Sequence, residues 1–119
     1  MTPEQFRTLA LSFPGAEERS HNNHPDFRVA GKVFATLGYP DSTRAMVKLS
    51  AQQQAEFMHD HPTVFSPAAG AWGRQGCTIV CLSKAKRAVM QPAVAAAWQN
   101  LSSAADRLGG PKKARKAER

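Results

Sequence analysis

The sequence predicts a two-layer α+β fold, an antiparallel sheet with helices on one face, in the order α-β(3-4)-α-β(1-2)-α. Three patterns carry that expectation. The segments "TPEQ" and "SAQQ" hold the residues of a helix capping box. Short runs rich in β-branched and aromatic residues follow each of them, separated by brief turn signals, and strands joined in sequence by short loops pair antiparallel. An alanine-rich segment with one apolar stripe comes last and supplies a further helix for the covered face.

The first helix is expected over 3–13. Thr2 is its N-cap, Pro3 suits the first helical position, Gln5 completes the box, and Phe6, Leu9 and Phe13 recur at helical spacing. "PG" at 14–15 stops it. "AEERSH" reads as a polar edge strand. Phe27 to Val29 and Lys32 to Leu37 flank Ala30-Gly31 as a hairpin, although alanine is a poor first residue for a type I′ turn. In "RAMVKLS", Ala45, Val47 and Leu49 alternate with Arg44, Met46 and Lys48, so one face is core and the other basic and wet. Ser50 caps a second helix with Gln53 in the box position, an apolar stripe of Ala51, Ala55 and Met58, and a stop at Pro62. "TVFSPAAGAWGRQG" is a glycine- and proline-rich connection. "CTIVCL" is apolar on both faces, as a central strand is. The last helix is expected from about Pro92, with Val94, Trp98, Leu101 and Ala105 on one side.

A chain of 119 residues has the length of one domain. It is read here as a folded unit over 1–108 and a basic disordered tail over 109–119, "GGPKKARKAER", which lacks apolar periodicity. The tail also explains the charge. The net charge is +7, but six of the 16 lysines and arginines lie in 107–119 against one acid, Glu118. The body is therefore nearly balanced, which weakens any case for nucleic-acid binding from global charge. No run is apolar enough to cross a membrane, and the N-terminus lacks the basic start and apolar core of a signal peptide, so a cytoplasmic protein is expected. Cys77 and Cys81 share one strand face about 13 Å apart, too far for a disulfide, and read as buried free thiols.

Longer phrases carry more. "PGAEERSHNNHPDFRVAGKVFATLG", "AMVKLS" and "VFSPAAGAWGRQGCTIVCL", in that order and spacing, resemble the MmcQ/YjbR family of small bacterial proteins. The resemblance covers about residues 1–102. It implies a two-layer fold related to type III secretion chaperones and compared with frataxin-like folds. It also implies DNA binding through a "double wing" of protruding hairpins, and no catalytic activity. The basic tail is outside the shared pattern.

Four readings of possible sites follow. If His21 and His24 met His59 and His61 in space, their imidazoles with Asp26 and Asp60 would suffice for zinc or iron. Against this, no compact cysteine-containing pair is available and no acidic ridge exists for iron, so no metal and no cofactor are expected. "SHNNHPDFRV" then reads as a structural corner, with Asp26 bonding nearby backbone, and His59 and His61 sit at the negative end of the second helix. Nucleophilic catalysis has little support. Ser20 and Ser66 lie near histidines in sequence, but no G-x-S-x-G elbow is present, so no enzyme and no catalytic residue are expected.

Binding offers the other two. "GAWGRQG" can form a hairpin wing on which Trp72 stacks or wedges and Arg74 meets phosphate. The bland alternative folds Trp72 back over the sheet, the glycines only permitting the turn. The second wing is the Ala30-Gly31 hairpin, and Arg19, Arg28, Lys32, Arg44, Lys48 and Arg74 would make a basic patch for double-stranded DNA or another polyanion. The same residues are equally read as an ordinary solvated face. The fourth reading is an adaptor: the mixed face around Met46 and Trp72 holds a peptide, or a pocket near Trp72, His24 and Arg28 holds a small ligand. The expected function is thus non-enzymatic, DNA or polyanion contact first and peptide or small-ligand binding second.

Overall fold

The computed structural model describes residues 1–109. Its elements run α1 (Pro3–Leu11), β1 (Glu17–His21), β2 (His24–Val29), β3 (Lys32–Leu37), β4 (Arg44–Lys48), α2 (Ala51–Asp60), β5 (Phe65–Pro67), α3 (Gly70–Arg74), β6 (Cys77–Cys81), a 3-10 turn (Leu82–Lys84) and α4 (Arg87–Gly109). The expected α+β class and element order are what the structure contains, with the five-residue α3 added between β5 and β6. The tail expected over 109–119 lies outside the described residues except for Gly109, the last residue of α4.

All strands pair antiparallel in the order β1-β2-β3-β4-β6-β5. The core lies on one side of this sheet. Phe6 and Leu9 of α1 meet Phe27, Val47 and Val80 of the sheet and Met90, Val94 and Ala97 of α4, all within one apolar cluster. Both capping boxes form: Gln5 N–H donates to Thr2 Oγ1 at 3.1 Å, and Gln53 N–H to Ser50 Oγ at 3.1 Å. Among the described residues no helix is long and apolar enough to cross a membrane.

Several local expectations are corrected. The inner side of α2 is not Ala51, Ala55 and Met58. Ala51 and Ala55 are exposed, and the helix turns Gln53, Gln54, Phe57 and Met58 inward. Amides there bond rather than merely pack: Gln54 Nε2 donates to Cys77 O at 3.0 Å, and Asn100 Nδ2 to Gln53 Oε1 at 2.8 Å. α1 ends at Leu11, and Phe13 lies beyond it against Trp98, ring centroids 5.7 Å apart. α4 begins at Arg87, not near Pro92, because Met90 is wholly buried and draws the preceding turn onto the core. Pro92 is exposed and forfeits one helical hydrogen bond.

Two turns and a bulge set the faces of the hairpins. Asn22-Asn23 joins β1 to β2 with φ of 50° and 67°, and Ala30-Gly31 joins β2 to β3 with φ of 54° and 81°. Both are the double left-handed turns that suit a right-twisted hairpin. Between the pairs Phe27↔Ala35 and Arg28↔Val33 the register shifts by one residue, so Phe34 is an extra residue on β3. Lys32 pairs with the core-facing Val29, which puts it on the helix side of the sheet at the hairpin tip.

Asparagine tolerates the left-handed region far better than alanine does. Ala30→Asn is therefore expected to raise stability by about 0.5–1 kcal/mol in thermal or urea unfolding.

Candidate functional site

The side of the sheet away from the main core is built from alternate residues of β1, β2, β3, β4 and β6. Register places Arg19, Asp26, Thr36, Met46 and Ile79 in one row across it. Asp26 is 0% exposed although among the described residues no long helix covers this side. Its carboxylate is covered by its own partners. Arg28 Nε donates to Oδ1 at 2.8 Å and Arg28 NH2 to Oδ2 at 3.1 Å. His21 Nδ1 lies 2.6 Å from Oδ2, reaching diagonally across the β1–β2 pair. A carboxylate only accepts, so Nδ1 carries the hydrogen, and in the neutral ring Nε2 is left as the acceptor. The forked guanidinium of Arg28 holds the Asp26 carboxyl below the usual aspartate range against the upward push of burial, and the His21 hydrogen bond adds to this. The corner therefore bonds side chain to side chain, where nearby backbone had been expected.

Beside this triad lies a cleft of about 300 Å³. Val33, Phe34, Ala35, Met46 and Cys77 supply apolar surface. His21, Thr36, Lys48 and Gln75 supply polar groups, and Trp72 stands at the lip, 59% exposed. Thr36 is 1% exposed, and its Oγ1 has no hydrogen-bond partner among the described residues. Few polar groups on an apolar wall is the usual make-up of a small-molecule site. Burial pushes the Cys77 thiol up, with Lys48 opposing, so Cys77 is an apolar wall rather than a nucleophile. Cys81 is only half-buried, against expectation, and its Sγ lies 3.5 Å from Ser83 Oγ.

Trp72 is carried by α3, and "GAWGRQG" is not a hairpin wing. A Cβ on Gly73 would lie 1.8 Å from Ala68 O, and one on Gly76 would lie 2.0 Å from Leu49 O. The glycines press this turn flat against neighbouring backbone, leaving Trp72 beside the sheet instead of projecting from a tip.

The residues expected to act together are only partly brought together. By register Arg19, Arg28, Arg44 and Lys48 share the open side, but Arg28 is bound to Asp26 and Arg44 NH1 donates to Asp41 Oδ2 at 2.6 Å. Arg74 is exposed on α3, while Lys32 belongs to the other side. His24 does not line the cleft. It packs edge-on against Tyr39 at 5.9 Å, and His21 takes the place foreseen for it. His59 pairs with Asp60 at 3.2 Å, and His61 caps α2 against Phe65 at 6.2 Å. Among the described residues no three His, Cys, Asp or Glu side chains converge as metal ligands.

The YjbR family model matches residues 11–100 of the chain. The chain belongs to the YjbR family. The crystal structure of Deinococcus radiodurans protein DR2400, with a DUF419 domain, superposes with a TM-score of 0.71 at 14% identity, over 93% of this chain and 83% of that one. That likeness shows a shared fold. None of the curated proteins compared with the chain matches it. The family match spans every residue of the YjbR chain's cleft, from His21 to Cys77.

Two opposite stability effects are expected on this face. Asp26→Ala should cost about 2 kcal/mol in unfolding free energy by removing charge-assisted hydrogen bonds. Because the Asp26 pKa is lowered by folding, that stabilisation is complete above the ordinary aspartate range, near pH 4, and is lost as pH falls through the lowered value; acid unfolding of wild type against the alanine variant reads it. Thr36→Val should instead raise stability by about 1 kcal/mol, since a buried hydroxyl without a partner is replaced by a methyl group of similar size.

Proposed function

We propose that this YjbR-family chain is a non-enzymatic binding protein that holds a small, partly apolar ligand on the open side of its sheet. The observation that carries the reading is the cleft of about 300 Å³ between Trp72 and Met46, floored by a buried hydroxyl that lacks a partner. That volume is at the lower end for small-molecule sites, which favours a compact ligand over a peptide. An exposed tryptophan beside an apolar wall supplies contact area at little entropic cost. The free thiols Cys77 and Cys81 are in keeping with a cytoplasmic location.

DNA or polyanion contact is the second reading. It is favoured by Arg19, Lys48 and Arg74, which make no ion pair among the described residues. It is weakened by the commitment of Arg28 and Arg44 to Asp26 and Asp41 and by the position of Lys32 on the other side. Backbone neutralisation needs several free cations on one surface.

A fragment screen followed by NMR separates the two. Small aromatic fragments are expected to shift the indole N–H signal of Trp72 and leave that of Trp98, whose Nε1 donates to Pro14 O at 2.9 Å, unmoved. Trp72→Ala should weaken the binding of such fragments about tenfold or more, by loss of the stacking surface. Fluorescence anisotropy with duplex DNA across a salt series tests the alternative. Salt-sensitive binding that persists in a chain ending at Leu108, with no fragment moving Trp72, would replace the cleft reading by the polyanion one.

A further inference from the structure

We propose that the ligand of this cleft carries one carboxylate, seated between Lys48 and Thr36, with a flat apolar body against Trp72 and Met46. The inference rests on the cleft reading above and adds the chemical class. Four observations support it.

First, the charges around the cleft leave an excess of positive. The Asp26 carboxylate is answered by Arg28, whose Nε and NH2 both bond to it. Lys48 lines the cleft and has no ion-pair partner among the described residues. Arg19 stands in the same row as Asp26 but does not line the cleft. A monoanion would balance Lys48.

Second, the donors suit a carboxylate. Thr36 lines the cleft and its buried hydroxyl has no partner among the described residues, the Lys48 ammonium offers its hydrogens from β4, and the exposed Gln75 carries an amide that can donate. A threonine hydroxyl is buried at a cost unless something bonds it, and an anionic oxygen is the strongest acceptor available to it.

Third, a phosphate fits less well. The guanidinium fork of Arg28 is already spent on Asp26, and among the described residues no arginine lines the cleft. A dianion would meet one lysine without a helix N-terminus or second fork to share the charge.

Fourth, His21 limits the other end. With Nδ1–H held by Asp26, the neutral ring presents an acceptor and not a donor. The anion therefore belongs at the Lys48 end. The apolar remainder of the cleft, Val33, Met46 and Cys77 under Trp72, accommodates an aryl or alkyl body.

The test uses the full chain and two probes of nearly equal shape, phenylacetate and its neutral amide, phenylacetamide. Binding is followed by the Trp72 indole signal and by the Lys48 side-chain methylene signals. The acid is expected to bind about tenfold more tightly than the amide. Lys48→Met should remove that preference and leave the amide unaffected, whereas Lys84→Met, outside the cleft, should keep it. Thr36→Val should weaken the acid several-fold.

Equal binding of acid and amide would overturn the carboxylate site and leave the cleft reading intact. A preference for the acid that survives in Lys48→Met, or acid binding that moves Trp98 and not Trp72, would also overturn it. So would silence from both probes at about 10 mM, ten times the Kd of even a millimolar fragment; the fragment screen would then decide the cleft on its own.

Discussion

A carboxylate with no exposed surface, on the side of a sheet that no long helix covers among the described residues, is the constraint around which the open face is arranged. Asp26 needs bonds from charged or polar partners, because an ionised group taken from water without them would cost several kcal/mol. Arg28, two residues along the same strand, supplies a fork, and His21 reaches across from the edge strand. These bonds withdraw Arg28 from the solvent-facing charge, fix the tautomer of His21, and pin the edge strand β1 to its neighbour beyond its backbone ladder. They also decide what is left over. With Arg28 occupied, Lys48 is the cation that lines the cleft, while Arg19 and Arg74 lie outside it without an ion pair among the described residues.

Much of the frame was legible in the sequence because it rests on local chemistry. Thr2 with Gln5 and Ser50 with Gln53 announce their helices through bonds made within one turn. Arg44, Met46 and Lys48 alternate with Ala45 and Val47, and the register of β4 puts the two sets on opposite sides. What was not legible depends on residues far apart in the chain. Gln53 and Gln54 look like surface residues until Asn100 and the backbone of Cys77 come to meet them. Nothing in "CTIVCL" says that β6 will slot between β4 and β5.

The site was half visible for the same reason. Trp72, Lys48 and Met46 stood out by their type and position. His21 did not, because its role requires the diagonal of a hairpin, and that needs Asn22-Asn23 to be recognised as a left-handed turn. The signal was present: two adjacent asparagines tolerate that conformation better than almost any other pair of non-glycine residues. Thr36 gave no signal at all. A threonine in "KVFATL" is an ordinary strand residue, and only the burial of its hydroxyl without a partner distinguishes it. The glycines of "GAWGRQG" suit either a projecting loop or a turn that folds Trp72 back over the sheet. Gly73 and Gly76 instead mark places where two stretches of backbone touch.

The bulge on β3 has its own effect on the molecule. The extra residue, Phe34, is wholly buried, belongs to the main apolar cluster shared with α1 and α4, and also lines the cleft. Along β4 the side chains alternate between the two sides of the sheet. Phe34 and the neighbouring Ala35 both border the cleft and belong to the main apolar cluster. The cleft and the helix-side core therefore share residues, so the two sides of this sheet are not insulated from each other.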